Sequence, residues 1–276
     1  MPLPRLRNAE ISVFCAGRQS GYIFKAEQQA GTMPGRIFVM GHSHACALEA
    51  AHKRRVPGAQ VPEMRFALLN DPQFEPPMAE GGLCLALLGE LRAAAAEVHV
   101  SVLGGNDHSI IGMLNHPQRF DFVLPEAPEL PVDETCEILP AGLLRGELAR
   151  RVAPHLAVLA AYRAAVPGRL VHIESPPPVP SAAHIQTYPG IFKDMIAAYG
   201  VSPALLRYKL WRLHSALYRE ACARLGVAFL GVPAEMQDAQ GMMVEAGWNP
   251  DPTHGNPVYG AHVLEKLAAW LGEAAR

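Results

Sequence analysis

Five short runs of strand-forming residues, at 37–40, 64–69, 98–103, 169–174 and 227–232, recur along the chain with helical patterns between them. The runs are apolar with few polar interruptions, as expected of strands that helices cover on both faces. Strands alternating with helices imply a parallel sheet, because parallel neighbours cannot be joined by a tight hairpin and need a crossover segment. The expected helices are 43–55, 83–96, a stripe through Leu144, Leu148, Val152, Leu156 and Leu159, a long helix through Leu206, Leu210, Leu213, Leu217 and Ala221, and a closing helix over 257–271. Pro154 falls inside the third of these and is expected to kink or divide it. A further short strand is expected over 119–124.

Residues 1–35 read as an irregular lead-in, with a strand at 10–14 and a short helix at 22–29. Residues 36–276 read as one domain without a linker or an internal repeat, and half of all residues are hydrophobic, enough for a sizeable core. Long insertions at 71–82, 110–140 and 175–203 each follow the C-terminal end of a strand, the edge where open α/β sheets place their sites.

The net charge of −2 and the dispersed arginines give no footing for a nucleic acid or an anionic membrane. The cysteines at 15, 46, 84, 136 and 222 are odd in number and lack a C-x-x-C spacing, which argues against a disulfide framework or a thiolate zinc site and for a reducing compartment. No apolar run approaches the roughly 20 residues of a membrane span, and the first residues do not form a signal peptide; a soluble, cytoplasmic protein is expected.

Three stretches carry chemistry. The first, 36–52, runs from a strand through Gly41 to His42, Ser43 and His44 and straight into an alanine-rich helix. Such a turn lifts a serine hydroxyl clear of the sheet edge and aims backbone N–H groups at whatever sits beside it. The second, 102–109, ends a strand in Gly104-Gly105 and then presents Asn106, Asp107 and His108; an asparagine amide fixed near a serine would stabilise the oxyanion of a tetrahedral intermediate. The third, 248–262, holds Asp251 and His254 three residues apart, a spacing that lets the carboxylate reach the imidazole on one tight turn. There Asp251 would fix the tautomer of His254, and His254 would take the proton of Ser43. Each stretch alone is also an ordinary turn or helix cap; the three together, in this order, are not.

Over roughly 36–275 the chain resembles the SGNH (GDSL-type) hydrolases. Ser43 matches the nucleophile of their first block, Gly104-Gly105-Asn106-Asp107 their G-x-N-D block, and Asp251-Pro252-Thr253-His254 their D-x-x-H block. The resemblance implies a three-layer α/β/α fold of flavodoxin type with a five-stranded parallel sheet. It implies Ser43, His254 and Asp251 as a triad, and an oxyanion hole of the Ser43 N–H, the Asn106 amide and a backbone glycine, for which Gly82 (or Gly81) is the candidate. The chain departs from the family where G-D-S-L reads Gly41-His42-Ser43-His44. The family's aspartate mainly organises the loop; His42 and His44 in this turn, with Asp107 and His108, are candidates for substrate contact or for hydrogen bonding within the loop.

The expected activity is therefore ester hydrolysis without a metal or other cofactor, on a small-molecule or glycan ester. The absence of an apolar lid segment favours a short acyl group such as acetyl on a polar alcohol such as a sugar. The alternatives are an O-acyltransferase using the same triad and, less favoured, a metal-dependent phosphoesterase with His42, His44, Asp107 and His108 around a divalent ion. A non-catalytic binding protein on the same fold fits the intact set of Ser43, Asn106, Asp251 and His254 less well. Trp211, Tyr218, His99 and His172 are assigned to packing, whereas Phe120, Phe122 and the prolines at 176–178 are expected to shape the substrate pocket.

Overall fold

The structure, a computed structural model, describes residues 35–55 and 62–273. The strand and helix expected at 10–14 and 22–29 lie outside them. The expected apolar runs form β1 (Arg36–Gly41), β2 (Glu63–Leu68), β3 (Val98–Val102), β4 (Arg169–Ile173) and β5 (Ala228–Leu230). They make one sheet in the order 2-1-3-4-5 with every neighbouring pair parallel. This is the flavodoxin-type order, and its switch point lies between β1 and β3. The helices are α1 (Ala45–Lys53), α2 (Leu85–Ala94), α3 (Asp107–Gly112), α4 (Ala141–Ala165), α5 (Ala182–Thr187), α6 (Lys193–Tyr199), α7 (Ala204–Leu225) and α8 (Pro257–Glu273).

The two-residue period of a strand sorts the core into layers. Ile37, Val39, Val98, Val100, Val171 and Ile173 face Leu48 and Ala51 of α1 and Val263, Leu264 and Leu267 of α8. Phe38, Met40 and Leu170 face the other way, onto Leu87 and Leu91 of α2 and Leu159 and Tyr162 of α4. Sandwiched between helices, the sheet is the middle layer of a three-layer α/β/α arrangement. On the first face α1 and α8 meet at backbone distance. A methyl group on Gly260 would come within 2.1 Å of the Ala47 carbonyl oxygen, so no side chain fits there.

The helix α4 is not divided at Pro154: one helix spans Ala141–Ala165. A proline inside a helix costs about 3 kcal/mol; here Leu148 and Val152 before it and Val158 and Leu159 after it are all buried, and their packing offsets that cost. The strand expected over 119–124 shrinks to Phe120–Asp121, paired with Glu137–Ile138. Phe122 is fully buried in a third core with Leu144, Leu148 and Leu210, and the prolines at 176–178 are buried too, so neither shapes an open pocket.

Two buried cations of α7 hold the larger insertions in place. Lys209 donates to Asp121 Oδ1 at 2.8 Å and to the Phe122 carbonyl at 3.0 Å. Arg207 donates to the carbonyls of Val179, Pro180 and Ser202, and burial pulls its guanidinium down to about 10. Removing either side chain would orphan the groups it ties down. No helix among the described residues is long and apolar enough to cross a membrane.

Candidate active site

The chain leaves β1 at Gly41, turns through His42, Ser43 and His44, and enters α1 at Ala45. The turn is pinned from both sides: the His42 N–H donates to the Val102 carbonyl at 3.0 Å, and the Ala45 N–H to the His42 carbonyl at 2.9 Å. Ser43 is thereby held half-buried at the C-terminal edge of the sheet, next to the switch point.

The Asp251–His254 turn precedes α8, and the close packing of α8 on α1 brings it to the serine. His254 Nε2 lies 2.7 Å from Ser43 Oγ, and His254 Nδ1 lies 3.0 Å from Asp251 Oδ1. With Nδ1–H donating to the carboxylate, Nε2 offers its lone pair to the hydroxyl. Asp251 also accepts the N–H groups of Thr253 and His254, each at 2.8 Å, and the Asn249 amide at 2.5 Å. Burial alone would push the Asp251 carboxyl up. The bond and charge of His254, with the Asn249 and Thr253 donors, outweigh burial and hold it well below the usual carboxylate range. The acid is thus a fixed anion facing the His254 ring.

The Gly104–Asn106 loop approaches from the end of β3. The Gly104 N–H donates to His42 Nδ1 at 3.1 Å, so a neutral imidazole does the work of an acceptor that ties the two loops together. Burial, and to a lesser degree His155, pulls His42 down to about 4, which keeps it in the accepting form. The His44 ring is buried, lies 4.7 Å from the His254 ring, and places Nε2 3.2 Å from Asn106 Oδ1.

Of the four residues offered for substrate contact or for hydrogen bonding within the loop, three are turned inward. His44 faces Asn106; His108 is buried against His214, with ring centres 5.0 Å apart; Asp107 is buried with an oxygen 3.7 Å from His155 Nε2. Burial pushes the Asp107 carboxyl up and the His155 imidazole down. The α3 turn carries Asp107 and His108 under the loop rather than over it. His42, half-buried, meets the edge of the His155 ring at 4.9 Å. Among the described residues no three His, Cys, Asp or Glu side chains are grouped to hold a metal ion. Gly82 lies in a two-residue strand, Gly82–Leu83, paired with Met78–Ala79 ahead of α2, instead of opening that helix. The hydrogen bonds that join Ser43, His44, Asn106, Asp251 and His254 do not include it.

No protein-family model matches the chain, and no curated protein does. Among solved structures, it is similar to a GDSL-like lipase from Bacteroides thetaiotaomicron, with 13% identity over 87% of this chain and 89% of that one and a TM-score of 0.42. It is also similar to the periplasmic domain of a lipopolysaccharide acetyltransferase from Salmonella ser. Paratyphi A, with 11% identity over 86% and 83% of the two chains and a TM-score of 0.41. Likenesses of this depth carry no conclusion about chemistry, which rests on the side chains themselves.

Several supporting residues are visible only in the structure. His184 of α5 places Nε2 2.9 Å from the Asn249 carbonyl, and its ring lies 5.0 Å from that of Trp248. Asn256 caps α8 by accepting the Val258 and Tyr259 N–H groups, while its amide holds the carbonyls of Ala246 and Trp248. Gly190 abuts the Pro252 ring, and the exposed Tyr188 ring lies 4.9 Å from the His184 ring. The Asn-Pro-Asp spelling at 249–251 was a local signal for the Asn249 bond; the role of His184 depends on a partner 65 residues away and had none.

Proposed function

We propose that this protein is a serine esterase of the SGNH type, and the observation that carries the proposal is the continuous hydrogen-bonded line from Asp251 through His254 to Ser43. Ser43 Oγ attacks the ester carbonyl carbon as His254 Nε2 takes its proton. The negative charge that develops on the carbonyl oxygen is met by the Ser43 N–H and the Asn106 amide. The tetrahedral intermediate collapses, and the proton on His254 goes to the departing alcohol. Water then repeats the sequence on the acyl-serine and releases the acid.

A short acyl group on a polar alcohol, such as an acetylated sugar, is the proposed substrate class. The exposed Tyr188 ring, 4.9 Å from that of His184, which holds the Asn249 carbonyl, supports it as a face for a polar sugar. Transfer of the acyl group to a sugar hydroxyl in place of water would use the same residues.

The test is intact mass after treatment with a fluorophosphonate probe. One adduct on the wild type, absent from Ser43→Ala, is expected. A folded wild type that takes no adduct would count against an activated serine. With the adduct established, p-nitrophenyl acetate should be cleaved faster than long-chain esters; the reverse order would remove the short-acyl assignment.

A further inference from the structure

The amide of Asn106 has two ends of almost equal shape and opposite polarity. Turned one way it offers N–H donors to a developing oxyanion; turned the other way it offers an oxygen and repels the charge. Something must choose between the two. We infer that His44 makes this choice, acting as a positioning residue whose Nε2–H holds Asn106 Oδ1 back so that the amide nitrogen faces the substrate oxygen. The inference rests on Ser43 being the nucleophile.

His44 Nε2 lies 3.2 Å from Asn106 Oδ1, and the ring is only 4% exposed, so no solvent competes for the bond. Its other nitrogen, Nδ1, is buried with no hydrogen-bond partner among the described residues. A proton on Nδ1 would therefore strand a donor. A proton on Nε2 makes the bond to the amide oxygen and leaves only a lone pair unmet. Burial, with the neighbouring His254, keeps the imidazole well below its ordinary range, hence neutral, with a single proton to place.

The ring has little room to move. Gly105 has φ of +112°, a conformation that favours glycine, and a methyl group there would fall 2.4 Å from His44 Cδ2. On its other side the ring lies against His254. His44 is also the residue next to Ser43, so the nucleophile and the oxyanion donor are set by adjacent positions of one turn. A leucine, as in the G-D-S-L pattern, has no donor to offer Asn106.

The experiment compares kcat and KM on p-nitrophenyl acetate for His44→Phe, His44→Gln, Asn106→Ala and the His44→Phe/Asn106→Ala double variant, with fold checked by circular dichroism. Phe keeps the packing and loses the donor; Gln places an amide nitrogen near the position of Nε2. Expected are a loss of about a hundredfold in kcat for His44→Phe with KM within about twofold, recovery to within about tenfold of wild type for His44→Gln, and no further loss when His44→Phe is added to Asn106→Ala. Wild-type kcat in folded His44→Phe, a Gln variant no better than Phe, or fully additive losses would overturn the inference. If the Phe variant does not fold, His44→Asn, whose amide is too short to reach, takes its place against His44→Gln with the same expected split. A wild type without a Ser43 adduct would overturn the esterase proposal and this inference together; an adduct with an unaffected His44 series would overturn this inference alone.

Discussion

Two groups of histidines meet around the Gly104-Gly105 loop, and they are built in opposite ways. At the front, His254 has both ring nitrogens engaged, one by a carboxylate at 3.0 Å and one by a hydroxyl at 2.7 Å. At the rear, His214 has neither nitrogen partnered among the described residues and His108 lacks a partner for Nδ1, although both are buried and pack ring to ring. Burial pushes His108 well down and brings His214 to about 3. The difference teaches what a charge-changing histidine needs. A ring that must take a proton during a reaction requires an anion to receive its other N–H; a ring without one stays neutral and serves as a filler with polar edges.

The comparison breaks most sharply at the front. Ser43→Ala should lower kcat by roughly 10⁴-fold or more, with a thermal midpoint close to that of the wild type, since the side chain is small and half-buried. Asp251→Asn keeps the shape and removes the anion. It should cost on the order of 10⁴-fold in kcat, because Nδ1 then lacks the charge that stabilises imidazolium; ester kinetics on the purified variant, checked for residual wild type, would measure it. Turnover near wild type in Asp251→Asn would mean that His254 is no better prepared than the rear rings. Asn106→Ala comes next, at about 10²- to 10³-fold in kcat with the fold intact.

The smallest effect on turnover belongs to the rear. His214→Phe should leave kcat within about twofold of wild type and change stability in a pH-dependent way. The folded-state value of about 3 lies below the 6.5 of an unperturbed histidine, so the unfolded chain takes up the proton first. Stability is therefore complete above about pH 6.5 and falls as the pH drops through that window toward 3, by an amount on the order of a few kcal/mol. Urea midpoints at pH 7.5 and pH 5 should show wild type losing more stability than His214→Phe. Equal losses would mean that His214 does not stay neutral in the folded protein.

Much of this frame was legible in the sequence because it is written locally. The apolar runs of 37–40 and 98–103 needed only their period and length, and Asp251 and His254 needed only their spacing. The continuity of α4 through Pro154 was not legible, since the packing that overrides the proline comes from other elements. For His42 and His44, hydrogen bonding within the loop was one of two expectations, but the atoms they would bind were not legible. Their partners, Gly104 and Asn106, are each 62 residues away and meet them only because β1 and β3 are neighbours at the switch point. The inward turn of Asp107 and His108 escaped for a related reason: a six-residue helix decides which way they face, and nothing in Gly-Gly-Asn-Asp-His announces it.

The contact of Gly260 with Ala47 has a kinetic consequence. Ser43 arrives with the first strand and its base 211 residues later, just ahead of the last helix, so the reacting pair is joined across almost the whole fold. Contacts of such separation are formed late and slowly, because the loop between them must be closed first. Turnover is then a reporter for the final docking step. During refolding, ester cleavage should appear no earlier than the burial of α8.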